Sequence, residues 1–272
     1  MEKVCILMSV YGKDCPESLH KALCSLEEQT YKNIDIYIYK DGEVSKELDD
    51  TINIHLMNNK RIFVIHNASN KGLAISLNNL IDYILLHVAD VKYFARMDSD
   101  DICRLDRIER QIKYMSDFNL HVCGSFCKEF GASYALNEKK VPIQHSDIIN
   151  AAITHCPFIH PTVIFEASVF KQGVRYPTDT VFTEDMALWF LLIERKYKLG
   201  NIPEVLLDYR LNENTVKRRL GLNKGISEFK LRLNYMIKTR EYSLRNFSFL
   251  LLRLPFHILP VSLVKLLYKY AR

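Results

Sequence analysis

The sequence predicts an α/β protein built on a mostly parallel sheet with helices on both faces. Three observations carry that reading. Short apolar runs alternate with stretches at helical spacing through the first half of the chain. The first run, Val4-Cys5-Ile6-Leu7-Met8-Ser9-Val10, is apolar at nearly every position, as a strand buried on both faces must be. Several runs end in carboxylates or amides, and the carboxyl ends of parallel strands are where such sheets bind ligands.

In chain order, strands are expected at Val4–Val10, Ile34–Tyr39, Ile62–His66 and Tyr93–Met97. Between them, Glu17–Gln29 places Leu19, Leu23 and Leu26 on one helical face, and Gly72–Leu86 does the same with Leu73, Leu77, Leu80 and Ile84. Pro16 precedes the first helix, where its missing N–H costs little. Ser45–Leu56 supplies the remaining crossover. The second half is less regular: a helix at Leu105–Asp117, strands at Val122–Phe126 and Thr162–Phe165, a strongly apolar helix at Met186–Ile193, and helical spacing over Ile226–Ile237. No internal repeat or low-complexity tract interrupts the chain.

The 272 residues are 48% apolar, enough for a large core and too apolar for a disordered protein. A formal net charge of +5 is too mild to imply nucleic acid, and none is expected as a partner. Seven cysteines at irregular spacing, without a signal peptide, read as reduced thiols of a cytosolic compartment. Cys123 and Cys127 form a possible metal pair, but no second pair completes a zinc site, and plain buried thiols are the expectation. The apolar start is far too short to span a membrane.

The chemistry concentrates after the fourth strand, in Arg96-Met97-Asp98-Ser99-Asp100-Asp101. Asp98 and Asp100 are two apart, so in an extended segment their carboxylates point to the same side. Hard cations such as Mg²⁺ or Mn²⁺ take oxygen ligands, and a diphosphate leaving group needs such an ion. The plainer alternative is that Asp100 or Asp101 caps the following helix. An EF-hand fails because Ile102 and Cys103 stand where a ligand and a glycine belong, and no dinucleotide fingerprint or P-loop is present.

These residues and seven further motifs, in order, resemble glycosyltransferase family 2, whose members have the GT-A fold. The motifs are Met8-Ser9-Val10-Tyr11, Ser25-Leu26-Glu27-Glu28-Gln29-Thr30-Tyr31, Asp41-Gly42, Asn70-Lys71-Gly72-Leu73-Ala74, His160-Pro161-Thr162-Val163, Glu184-Asp185-Met186-Ala187-Leu188-Trp189 and Tyr209-Arg210. The resemblance implies that Asp41 contacts a uracil base, that Asp98 and Asp100 hold Mn²⁺ or Mg²⁺ with Asp100 as the direct ligand, and that Asp185 is the general base of an inverting transfer. The family opens its site with two consecutive acids after strand two, whereas here Lys40 and Glu43 flank Asp41-Gly42. The subset carrying His-Pro-Thr-Val resembles bacterial β-galactosyl and β-glucosyl transferases of O-antigen and capsule assembly. That implies a UDP-sugar donor and an undecaprenyl-diphosphate-linked N-acetylhexosamine acceptor.

Each residue has a plainer alternative. Thr183, Glu184 and Asp185 can cap the next helix, Asp41 can open a turn with Gly42, and Asn70 with Gly72 can form a helix-entry turn instead of contacting donor. Arg96 fits either donor contact or a structural ion pair, Arg210 either a diphosphate fork or a carboxylate pair, and His160 either the acceptor cleft or a satisfied loop. Glu184 stands as a second candidate on the acceptor side, and Trp189 is expected in the core. Two rival functions are a sugar nucleotidyltransferase, disfavoured by the single glycine in Tyr11-Gly12-Lys13-Asp14-Cys15-Pro16, and a non-catalytic scaffold, disfavoured by the intact acids.

The expected organisation is a catalytic domain over 1–222, divided into a donor half (1–104) and an acceptor half (105–222), followed by a helical tail over 223–272. After Glu241 the tail has no acidic residue but carries Arg245, Arg253, Lys265, Lys269 and Arg272 among leucines and phenylalanines. Pro255 and Pro260 argue against a spanning helix. The tail is expected to lie on the anionic cytoplasmic leaflet as a peripheral anchor, with docking on the core as the alternative.

Overall fold

The computed structural model describes residues 1–213 and 220–270. Its centre is an eight-stranded sheet in the order β3-β2-β1-β4-β7-β6-β8-β5. The strands are β1 (Lys3–Val10), β2 (Ile34–Asp41), β3 (Ile62–Asn67), β4 (Val91–Arg96), β5 (Ile102–Cys103), β6 (Val122–Phe130), β7 (Ile164–Glu166) and β8 (Leu199–Arg210). The helices are α1 (Pro16–Glu27), α2 (Lys46–Asn58), α3 (Leu73–His87), α4 (Arg107–Phe118), α5 (His145–Ala151), α6 (Ala167–Lys171), α7 (Glu184–Glu194), α8 (Leu222–Thr239), α9 (Leu244–Phe256) and α10 (Val261–Tyr270).

The strands β3, β2, β1 and β4 are parallel, because each strand is joined to the next in the chain by one helical crossover. Beyond β4 the sheet is mixed: β7 runs antiparallel to both β4 and β6, β8 parallel to β6, and β5 antiparallel to β8. The sheet is therefore less parallel than the strand–helix alternation suggests, and that alternation lapses at the same point in the sequence.

The all-apolar β1 is explained by cores on both sides of it. Val4, Ile6 and Met8 pack with Leu19 and Leu23 of α1, Leu48 of α2 and Ile108 of α4. Cys5 and Leu7 face the other way, against Leu77 and Leu80 of α3 and Leu188 and Trp189 of α7. Trp189 is fully buried, as its apolar neighbours imply. Pro16 opens α1 with Cys15 as its cap, and the Ser45 hydroxyl caps α2 by accepting from Leu48 N–H.

β8 escapes sequence reading because Gly200 and Pro203 break its apolar alternation. The structure accommodates Pro203 where the β6–β8 register slips, Ser125 pairing with Ile202 and Phe126 with Val205.

The C-terminal helices have a docked side and an exposed side. Tyr235 of α8 stacks on Phe190 of α7 at 4.0 Å, and Met236 and Leu250 join the same apolar cluster. Beneath them the buried Glu228 carboxylate pairs with Arg232 (2.8 Å), Arg253 (3.0 Å) and His257 (3.1 Å). Burial opposes the ionisation of Glu228, but His257, Arg232 and Arg253 outweigh it and hold the carboxyl far below the usual range. On the outside, Leu244, Phe247 and Leu251 stand exposed along one stripe of α9, with Leu252 and Ile258 beside them. The docked alternative thus accounts for the inner faces of α8 and α9. Among the described residues no helix is long and apolar enough to cross a membrane.

All seven cysteines are free thiols. Cys5, Cys103, Cys123 and Cys127 are buried, and Cys24 and Cys156 partly so, while Cys15 is exposed.

Candidate active site

Tyr11, Gly12, Lys13, Asp41, Gly42, Glu43 and Asn70 line an open cleft of about 480 Å³ at the carboxyl ends of β1 and β2. Asp41 is 3% exposed, and its carboxylate is committed to the loop that enters α3. One oxygen accepts from Lys71 N–H and the other from Gly72 N–H, both at 2.8 Å. Asn70 donates to the Asp41 carbonyl at 3.3 Å. Gly42, at φ +86°, passes so close that a Cβ there would lie 2.8 Å from the Asn70 nitrogen. Asp41, Gly42 and Asn70 thus form one wall of the cleft, clamped from behind by the Lys71 and Gly72 N–H groups.

The acidic turn follows β4 and is pinned from several sides. The buried Arg96 guanidinium donates to the Leu7 carbonyl at 3.1 Å, to the Met97 carbonyl, and to an Asp98 carboxylate oxygen. Arg107, fully buried, donates to the Arg96 carbonyl (2.9 Å) and to Gln111, whose amide reaches the carbonyls of Cys123 and Thr162. From the loop after β1, Asp14 accepts from Ser99 Oγ at 2.8 Å. On the far side, Arg210 donates its backbone N–H to Asp101 (2.7 Å) and its Nε to the Asp100 carbonyl (2.8 Å). Arg96 and Arg210 both act as structural pins here.

Neither Asp100 nor Asp101 caps a helix. The strand β5 follows them directly, and the cap position of α4 is Asp106. Asp98, Asp100 and Asp101 instead bring carboxylate oxygens within 4.8 Å of one another. Burial raises the Asp101 pKa well above the ordinary carboxyl value, and the charges of Asp98 and Asp100 push it further. Its outer oxygen is buried with no hydrogen-bond partner. An orphaned oxygen beside two further carboxylates is a donor set that fits a hard divalent cation.

A second constellation comes from the start of α7 and the 3₁₀ turn His160–Thr162. Thr183 makes no side-chain cap, while Asp185 Oδ1 accepts from Met186 N–H at 2.7 Å. Cys156 Sγ lies 4.0 Å from the other Asp185 oxygen. Burial raises the Glu184 pKa, and neighbouring Asp185 adds to the rise. His160 Nε2 is 2.9 Å from the Tyr176 hydroxyl. Burial, and then the charge of Arg96, lower the His160 pKa well below its usual value. Burial raises the Tyr176 pKa, and its phenol also feels the charges of Arg96, Asp185, Asp98 and Glu184. The two constellations therefore share one electrostatic neighbourhood.

Sequence reading missed Tyr176, Asp14, Asp101 as a third carboxylate, and the Arg107–Gln111 support. Of these only Asp101 carried a signal, its adjacency to the Asp-x-Asp pair. The others come from loops or helix faces whose convergence depends on the folded sheet.

A sheet of this order, with its acids gathered at the carboxyl edge, is the GT-A architecture of glycosyltransferases. The chain belongs to glycosyltransferase family 2: the profile described as "Glycosyl transferase family 2" matches residues 5–172. It is similar to the amylovoran biosynthesis glycosyltransferase AmsE of Erwinia amylovora, with 30% identity over 98% of each chain. It is also 30% identical to an Escherichia coli UDP-Gal:alpha-D-GlcNAc-diphosphoundecaprenol beta-1,3-galactosyltransferase, over 98% of this chain and 95% of that one. Among solved structures, the mannosyltransferase PcManGT of Pyrobaculum calidifontis, in complex with GDP-Man and Mn²⁺, superposes with a TM-score of 0.66. That match covers 99% of this chain and 75% of the other at 13% identity, so it speaks for the fold alone. The chain is a glycosyltransferase.

Proposed function

We propose that the chain transfers galactose or glucose from a UDP-sugar, with inversion, to an N-acetylhexosamine carried on undecaprenyl diphosphate. The observation that carries this reading is the gathering of the Asp98, Asp100 and Asp101 carboxylate oxygens within 4.8 Å of one another just after β4; the charges of Asp98, Asp185 and Glu184 all reach the Tyr176 phenol. The E. coli relative's UDP-Gal donor and lipid-diphosphate acceptor support the substrate classes.

In this reading the Tyr11–Asn70 cleft takes the nucleoside, with Asp41 holding the wall and facing the base. Asp98 and Asp100 would hold Mn²⁺ or Mg²⁺, whose charge would stabilise a departing diphosphate. Asp185 accepts the proton of the acceptor hydroxyl as that oxygen attacks C1 of the donor sugar. Its hydrogen bond from Met186 N–H fixes one oxygen and leaves the other turned toward Cys156. Glu184, with its raised pKa, contacts the acceptor. His160, kept neutral by burial, orients the Tyr176 hydroxyl at the same cleft.

Residues 1–104 serve the donor and 105–222 the acceptor. Residues 223–272 hold the enzyme at the cytoplasmic face of the membrane through the outer stripe of α9 and the exposed Arg245. The deciding experiment incubates the enzyme with UDP-galactose, UDP-glucose and a lipid-diphosphate N-acetylglucosamine, and reads products by mass spectrometry. Release of UDP with a gain of one hexose on the acceptor is expected. Release of pyrophosphate instead would make it a nucleotidyltransferase.

A further inference from the structure

The helices α1 and α2 bring His20, Cys24 and His55 together, none of them a residue of the site described above. His20 and Cys24 are one turn apart on α1, so both project from one face toward α2. The ligand atoms of all three lie within 4.8 Å of one another. His20 Nδ1 is 2.9 Å from His55 Nε2, and Cys24 Sγ is 3.7 Å from His20 Nε2 and 3.9 Å from its Nδ1.

The buried His55 has its other nitrogen engaged: Nδ1 is 2.8 Å from Glu27 Oε2. Glu27 is itself oriented, since its second oxygen accepts from Asn59 Nδ2 at 2.9 Å. A carboxylate on Nδ1 places the proton there and leaves Nε2 as an acceptor facing His20 Nδ1 at 2.9 Å. Carboxylates stand behind metal-ligating histidines in this way, fixing the tautomer and raising ligand basicity.

We infer that His20, Cys24 and His55 form a second metal site, for Zn²⁺ or a similar borderline-soft ion, with Glu27 orienting His55. Two imidazoles and a thiolate suit Zn²⁺, whereas the oxygen-only turn at Asp98–Asp101 suits Mg²⁺ or Mn²⁺. Zn–N bonds of about 2.0–2.1 Å and Zn–S bonds of about 2.3 Å, set tetrahedrally, put the nitrogens about 3.3 Å apart and nitrogen about 3.6 Å from sulfur. With His20 Nδ1 as the ligand atom, the observed 2.9 Å to His55 Nε2 and 3.9 Å to Cys24 Sγ need shifts of only a few tenths of an ångström. His20 is exposed, so a water completes the fourth position. The ion ties α1 to α2, the two helices behind the strands that carry the donor cleft.

The test uses chelator-stripped full-length protein titrated with Co²⁺ in excess Mg²⁺, which keeps the carboxylate turn filled. Expected is a thiolate-to-cobalt charge-transfer absorption saturating at one equivalent and reversed by Zn²⁺. Cys24→Ser removes the band, and so does His20→Ala, whose exposed position leaves the far-ultraviolet circular dichroism unchanged. Glu27→Gln weakens Co²⁺ binding about 10–100-fold, the range for losing such a partner. Asp100→Ala leaves the band intact, so the outcome is independent of the catalytic assignment. A protein without the band, or a band that survives Cys24→Ser, overturns the inference and leaves His20 and His55 as a simple hydrogen-bonded pair.

Discussion

Asp41→Asn separates two roles that the Asp41 position combines, contact with a bound base and support of the loop into α3. The carboxylate accepts two backbone N–H groups at 2.8 Å, from Lys71 and Gly72. An amide keeps one accepting oxygen and turns an NH₂ group toward the other N–H. One charge-assisted bond is lost, about 1.5–3 kcal/mol, and a donor then faces a donor at about 1–3 kcal/mol more. Lys71 is exposed and Gly72 half-buried, so water relieves part of this, leaving about 2–3 kcal/mol. For a chain of this size that lowers Tm by about 4–12 °C. The assay is thermal unfolding of the nucleotide-free protein, followed by calorimetric titration with UDP. A nucleotide-free Tm within about 1 °C of wild type would refute the supporting role and leave base contact as the sole function of Asp41.

Asp100→Ala, or EDTA on the wild type, should abolish transfer while leaving the protein folded; full activity in chelator would remove the cation from the reaction. Asp185→Asn should lower kcat by about 10²–10⁴ with donor affinity preserved, and a near-normal kcat would shift the base to Glu184. The lowered His160 pKa means that the folded protein refuses a proton which the unfolded chain accepts below about pH 6.5. Stability from this group is therefore present above that pH and lost on acidification, so between pH 7 and 5 wild type should lose more Tm than His160→Gln. Phe247→Asp with Leu251→Asp, on the exposed stripe of α9, should abolish co-sedimentation with anionic vesicles at unchanged Tm; retained binding would reject the membrane contact. Point changes suit this test better than tail deletion, which would strip the buried Leu250 and His257 from the core.

The first four strands were legible because each is a dense apolar run, and periodicity at two or 3.6 residues is a local property of the chain. Asp98 and Asp100 were legible as two acids closing an apolar strand, although the structure bends Ser99 and Asp100 into a turn where the spacing suggested an extended segment. The strand β8 was not, because Gly200 and Pro203 blur its pattern and only the slipped register with β6 makes room for them. For Arg96 and Arg210 the sequence left donor contact and structural pairing open; in the structure Arg96 donates to the Leu7 and Met97 carbonyls and to Asp98, and Arg210 donates to Asp101 and the Asp100 carbonyl.

By itself the sequence determined the α/β class, the carboxyl-edge acids and the family, all of which rest on residues close in the chain. Tertiary structure alone decided which groups meet. Asp14 reaches Ser99, His160 reaches Tyr176, and Cys156 comes to Asp185 across separations that no spacing rule encodes. It also divided the C-terminal helices into a docked face, held by the Glu228 ion pairs, and an exposed apolar one. The physical reason is that burial and charge pairing belong to surfaces brought together by the fold, whereas periodicity belongs to a single element.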